Sequence, residues 1–183
     1  MRRYSAAWAA AFCGIGSALS IVLLLLGAVF PSALFIAPAA AGFLTEISAE
    51  ECGVRMAWTQ WGAVSLLGLL FVPDKEVVLL YTVLLGYYPL IRYRFDRISS
   101  RVFRGAAKLV LCDAAVLLLY GMLFLLFPYG AAASEWKETA FVMMLLTVIV
   151  GDIAFLLFDK ALVNLMRVYR LIWQPRLHKM TGQ

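Results

Sequence analysis

The sequence has little charge and few of the residues from which metal sites and catalytic triads are built. Only 15% of its 183 residues are charged, and it contains a single histidine, His178. A histidine-based metal site or catalytic triad therefore lacks its parts. The three cysteines, Cys13, Cys52 and Cys112, stand far apart, which does not predict a disulfide framework or a zinc site. We expect no metal and no other cofactor.

Enzyme motifs are also missing. The sequence has no phosphate-binding GxxxxGK[ST] loop, no HExxH and no GxSxG elbow, so we expect a protein that is not an enzyme. The net charge of +5 does not indicate a nucleic-acid partner. In a chain this apolar, excess Arg and Lys mark the loops that stay in the cytoplasm.

Apolar residues make up 64% of the chain, and the mean hydropathy is +0.89, beyond the range of soluble domains. The sequence therefore predicts an all-α integral membrane protein, multi-pass in the cell membrane and in contact with lipid. About 20 apolar residues cross a bilayer, and the first segment is too long for a signal peptide, so we expect it to be retained. Six segments are predicted to span, namely Trp8–Phe30, Ser32–Leu44, Met56–Val72, Glu76–Ile91, Gly105–Phe127 and Glu135–Leu162.

Basic residues set the orientation of the predicted six-helix bundle. They concentrate at the N-terminus, between the fourth and fifth segments, and in the tail (Arg2, Arg3, Arg92, Arg94, Arg97, Arg101, Arg104, Lys108, Arg167, Arg170, Arg176 and Lys179). Placing these regions in the cytoplasm puts both termini inside. The loop from Thr45 to Arg55 also falls inside. We expect a transmembrane domain over 1–163 and, over 164–183, a basic amphipathic tail that continues the sixth helix along the inner membrane face.

The stretch Pro-Asp-Lys-Glu interrupts two uncharged runs. Asp74 is suited to cap the helix that follows, so a tight outer turn is one interpretation. The other is the mouth of a polar-ligand site between helices. On that interpretation Asp74, Lys75, Tyr81 and Trp136 bind the substrate.

Small residues recur every four positions in the first segment, at Ala6, Ala10, Gly14 and Ala18. Such a row lets another helix approach closely. The neighbour is either a helix of the same chain or one of a partner protein.

Three acidic residues lie within or near the predicted spans, Asp113, Asp152 and Asp159. We expect Asp159, which is adjacent to Lys160, to lie at the inner interface, and Asp113 and Asp152 to lie deeper. Charges at that depth usually pair or mark a pathway. We expect a structural network in which Lys108 or Arg92 is the counterion. A proton or ion relay is the alternative.

The length, the six segments and the opening "AAWAAAF" (Ala6–Phe12) resemble the substrate-binding S-components of energy-coupling factor (ECF) transporters of bacteria. The resemblance implies that Ala6, Ala10 and Gly14 contact the transmembrane coupling subunit of an energising module that also carries ATPases. It also implies capture of a vitamin-like small molecule from outside, under loops that here hold Pro31, Asp74, Lys75 and Trp136. The other interpretation is a small polytopic scaffold similar to the MreD family, which binds no ligand.

Overall fold

The computed structural model describes residues 6–95, 101–126 and 141–174, and every regular element in these ranges is helical. This confirms the all-α prediction. The α-helices are α1 (Ala6–Val29), α2 (Ile36–Glu51), α3 (Val54–Phe71), α4 (Lys75–Leu80), α5 (Tyr88–Phe95), α6 (Arg101–Leu126) and α7 (Phe141–Val168). A short 3₁₀ turn, Pro31–Ala33, precedes α2, and π-helical turns follow α4 (Tyr81–Leu85) and α7 (Tyr169–Trp173).

α1, α2 and α3 pack together and bring α4 into a shared apolar core. Leu24, Val64, Val77 and Tyr81 are completely buried in this cluster. Gly27 allows α1 to pack closely against α2, because a Cβ at residue 27 would lie 2.7 Å from the Ala37 Cβ. The predicted boundaries of the first and third segments agree with α1 and α3 to within two residues.

The predicted end of the second segment is wrong. α2 is one continuous helix that runs to Glu51, whereas the sequence predicted a loop from Thr45. The helix continues because its acidic residues have partners: Glu46 pairs with Arg92, and Glu50 pairs with Arg170. Pro38 is tolerated because it lies in the first turn, where its missing N–H has no intrahelical acceptor.

The fourth predicted segment is not a single α-helix. α4 gives way to the π turn, and Gly86 N donates to the Tyr81 carbonyl oxygen at 2.7 Å. α2 approaches this turn so closely that a Cβ on Gly42 would overlap the carbonyl oxygen of Leu85. The packing of α2 against the segment from α4 to α5 therefore depends on Gly42.

α6 and α7 pack against the π turn and α5. Tyr88 and Phe155 meet edge to face with ring centroids 4.7 Å apart, in a cluster that includes Cys112 and Leu162. α7 continues past the predicted end of the sixth segment, so the start of the predicted tail belongs to the same helix. Residues 135–140 of that segment, and the tail from residue 175, lie outside the described residues.

Within the described ranges, one helix is long and apolar enough to cross a membrane, at Ala7–Val29. It is also the helix nearest the N-terminus.

Candidate functional site

The turn that contains Asp74 and Lys75 connects and caps two helices. Asp74 Oδ1 accepts a hydrogen bond from the Glu76 amide at 2.9 Å, as the N-cap of α4. Lys75 Nζ donates to the carbonyl oxygens of Leu69 and Val72, at 2.8 Å and 2.7 Å, at the C-terminal end of α3. The capping interpretation of Asp74 is confirmed.

Apolar side chains pack beneath this turn. Val72, Val77 and Val78 are completely buried there. Tyr81, a predicted substrate contact, is also completely buried and shares a 3.0 Å hydrogen bond with Thr45. Tyr81 therefore lies in the interior of the helix bundle, and not on an exposed loop. Trp136, the fourth residue of the predicted mouth, lies outside the described residues.

Replacing Asp74 by alanine is expected to lower the free energy of unfolding by about 1 kcal/mol, the usual cost of losing an N-cap. Asp74→Asn keeps a side-chain acceptor and should cost much less. Thermal unfolding of both variants in the same detergent measures the difference. Equal loss in the two variants would show that the charge, and not the cap, stabilises this turn.

The small-residue row of α1 faces away from the rest of the described protein. Ala10, Gly14 and Ala18 are exposed, and apart from the adjacent residues and backbone of α1 itself, no described atom lies within 4 Å of a Cβ built on Gly14. The packed side of α1 is a different one, with Cys13 and Leu24. Of the two alternatives for this row, packing against a helix of the same chain is not seen among the described residues. Ala6 begins α1, but its side chain is not described.

The Asp113 carboxylate, on α6, acts electrostatically on Asp152, on α7. The predicted counterions are engaged elsewhere: Lys108 lies 2.8 Å from Asp159, and Arg92 lies 2.8 Å from Glu46. The prediction that Lys108 or Arg92 is the counterion of Asp113 and Asp152 is therefore wrong. Asp152 Oδ1 is buried, with no hydrogen-bond partner among the described residues.

Two carboxylates that repel each other, with no salt bridge to either among the described residues, destabilise the fold. Asp113→Asn is therefore expected to raise the unfolding temperature. Asp159→Asn, which removes the partner of Lys108, should lower it. Thermal unfolding of the two variants at neutral pH provides the comparison. An unfolding temperature lowered by Asp113→Asn would contradict this account and indicate that the two carboxylates hold a bound cation.

A buried charge cluster, formed by Glu46, Arg92, Lys108 and Asp159, was missed by the sequence reasoning. The side chains of Glu46 and Arg92 are 0% and 6% exposed. Asp159 also accepts a short hydrogen bond from the Tyr88 hydroxyl, and its charge acts on Glu46. The cluster thus joins α2, α5, α6 and α7 at the end of the bundle opposite the Asp74 turn. Little in the sequence indicated this cluster, because the acidic Thr45–Arg55 segment and the basic segment from Arg92 to Lys108 were both assigned to loops.

A second cluster of polar side chains, Gln60 and Ser48, lies between α1, α2 and α3. Gln60 and Ser48 are only 2% and 1% exposed, and their side-chain polar atoms have no hydrogen-bond partner in the described ranges. Both abut Gly16, since a Cβ there would lie 2.9 Å from Gln60 Nε2 and 3.4 Å from Ser48 Oγ. An amide and a hydroxyl buried in this way require a polar partner, such as water or an atom of a ligand.

Comparison with known proteins finds no matching family model, no matching curated protein and no matching solved structure.

Proposed function

We propose that the chain is a multi-pass protein of the bacterial cell membrane, with six spans and both termini in the cytoplasm. Apolar side chains on several helices face outward, among them Leu66 and Leu70 of α3 and Leu157 of α7, which are 71%, 73% and 62% exposed. Soluble monomers rarely expose contiguous apolar faces of this kind, whereas lipid covers them without cost. The basic residues beside α5, α6 and α7 support the orientation.

We further propose that the chain is the substrate-capture subunit of an ECF-type importer, which docks on a coupling subunit through α1. The observation that carries this proposal is the exposed small-residue face at Ala10, Gly14 and Ala18. In a bilayer, helices associate through close van der Waals packing, and small residues permit it. Because this face is not used inside the described protein, it is available to a partner helix.

Capture of a small molecule is supported by the polar groups inside the bundle. Gln60 provides an amide donor and acceptor, and Ser48 provides a hydroxyl, all buried without protein partners in the described structure. Ligand sites in helix bundles combine apolar walls with a few polar groups of this kind. The ligand would therefore contact polar groups between α1, α2 and α3, rather than the outer loops.

Docking is tested with leucine substitutions at two open glycines. Gly14→Leu places a bulky side chain on the proposed docking face and should abolish co-purification of the partner while leaving the chain folded. Gly62→Leu is the matched control on α3, because a Cβ there also meets nothing within 4 Å. Affinity purification from membranes, followed by quantification of co-purifying proteins, measures the effect. Equal partner recovery from both variants would contradict docking through α1.

The second candidate function is a ligand-free scaffold of the MreD type. The apolar packing beneath the Asp74 turn favours it, because Val72, Val77 and Val78 are completely buried there. Mass spectrometry of the protein purified in mild detergent separates the two functions. A small molecule present at one copy per chain, and lost from Gln60→Leu, supports capture. A partner protein retained with no small molecule supports the scaffold.

A further inference from the structure

The corner between α2 and α3 rests against the first turns of α1. Cys52 caps the end of α2, and Gly53, with a φ of 94° that favours glycine, redirects the chain into α3. Cys52 Sγ lies 3.8 Å from the carbonyl oxygen of Ala9, to which it donates. In an α-helix that carbonyl is the acceptor for the amide of Cys13.

This contact brings two thiols together. Cys13 and Cys52 are both free, and Cys13 lies one helical turn after Ala9, whose carbonyl oxygen Cys52 Sγ contacts. The two thiols also interact electrostatically. Their surroundings differ: Cys13 is 6% exposed, whereas Cys52 is only partly buried at the corner. A reagent from the aqueous phase therefore reaches Cys52 first. The third cysteine, Cys112, belongs to the core around Tyr88 and Phe155.

We propose that Cys13 and Cys52 are a disulfide-forming pair that ties the α2–α3 corner to α1 when the protein is oxidised. The co-reactant is a low-molecular-weight disulfide such as oxidised glutathione. The Cys52 thiolate attacks one sulfur of that disulfide, so a mixed disulfide forms and one glutathione thiolate leaves and takes up a proton. The Cys13 thiolate then attacks Cys52 Sγ and displaces the second glutathione. Two protein thiols are oxidised, and one glutathione disulfide is reduced to two thiols.

The rate of the first step should depend on pH. Burial, and next the neighbouring Cys13 thiol, raise the pKa of Cys52 to about 12. Only the thiolate attacks, so little of it is present at neutral pH and the exchange is slow. Because the thiolate fraction grows as pH rises towards the pKa, we expect oxidation to be markedly faster at about pH 9 than at about pH 7.

The test uses the full-length protein in detergent, incubated with oxidised glutathione, alkylated and digested without reductant. The free thiols should fall from three to one, with Cys13 and Cys52 joined in one linked peptide. Cys112→Ser should form the same link. Cys13→Ser should retain glutathione on Cys52, because the second attack is lost. Cys52→Ser should leave Cys13 free, because both remaining thiols, Cys13 and Cys112, are buried.

The wild-type protein decides the matter independently of the variants. Three free thiols remaining in the folded protein, under conditions that oxidise the chain in denaturant, would overturn the proposal. A link that involves Cys112 would overturn it as well. The outcome is independent of the proposed importer role, since no partner or transported substrate takes part.

Discussion

Replacing Glu46 by alanine is expected to lower the free energy of unfolding by about 3–5 kcal/mol, the usual cost of removing one partner of a buried ion pair. The Glu46 side chain is fully buried beside Arg92, at 2.8 Å. Its loss removes a carboxylate 2.8 Å from the Arg92 guanidinium, in a region of low dielectric. Reversible unfolding in mixed micelles, titrated with a denaturing detergent, measures the change.

Glu50→Ala is the matched control, one helical turn along α2. Glu50 pairs with Arg170 at a similar distance of 2.9 Å, but the side chains of Arg170 and Glu50 are 49% and 24% exposed. An ion pair that solvent screens contributes only about 0–1 kcal/mol. Similar losses for the two variants would show that burial does not distinguish the pairs. The double variant Glu46→Ala/Arg92→Leu should recover part of the loss, because it removes the buried charge itself.

Gly42→Val is the second substitution expected to have a large effect. Any Cβ at residue 42 overlaps the carbonyl oxygen of Leu85, so α2 must move away from the π turn. Backbone atoms cannot move aside as a flexible side chain does, and overpacking typically costs about 1–3 kcal/mol even where side chains can adjust. We expect the loss of stability at Gly42 to reach or exceed the upper end of that range.

Gly62→Val provides the comparison, because it makes the same chemical change in a helix where a Cβ meets nothing within 4 Å. Its effect should be slight or stabilising, since valine has a higher helix propensity than glycine. Thermal unfolding of the two variants side by side tests the packing of α2 on the π turn. If Gly42→Val unfolded at the temperature of the Gly62 control, α2 and the π turn would not be in close contact.

The parts of the fold predicted from the sequence are those set by local pattern. Uninterrupted apolar runs located α1 and α3, and Pro73 followed by Asp74 located the turn between α3 and α4. The end of α2 was missed because its acidic residues resemble a loop until their distant partners are known. The π turn was missed because nothing in the sequence of Tyr81–Leu85 distinguishes it from ordinary helix.

The candidate sites depended even more on contacts between distant residues. Cys13 and Cys52, or Glu46 and Arg92, meet only because particular helices cross at particular heights, and spacing along the chain carries no trace of that. The row at Ala10 and Gly14 was visible in the sequence, but whether it faced inward or outward was not. α1 packs against the other described helices through the side that carries Cys13 and Leu24, so the row faces outward from the described residues.

Photo-crosslinking in intact cells tests docking through α1 most directly. A photoreactive amino acid placed at Gly14 reports on the exposed small-residue face, and one at Leu66, which is 71% exposed on α3, reports on a face that we assign to lipid. The account predicts one defined protein adduct from Gly14, lost when Ala10 is also replaced by leucine, and only lipid adducts from Leu66. Lipid adducts alone from both positions, or the same protein adducts from both, would contradict it.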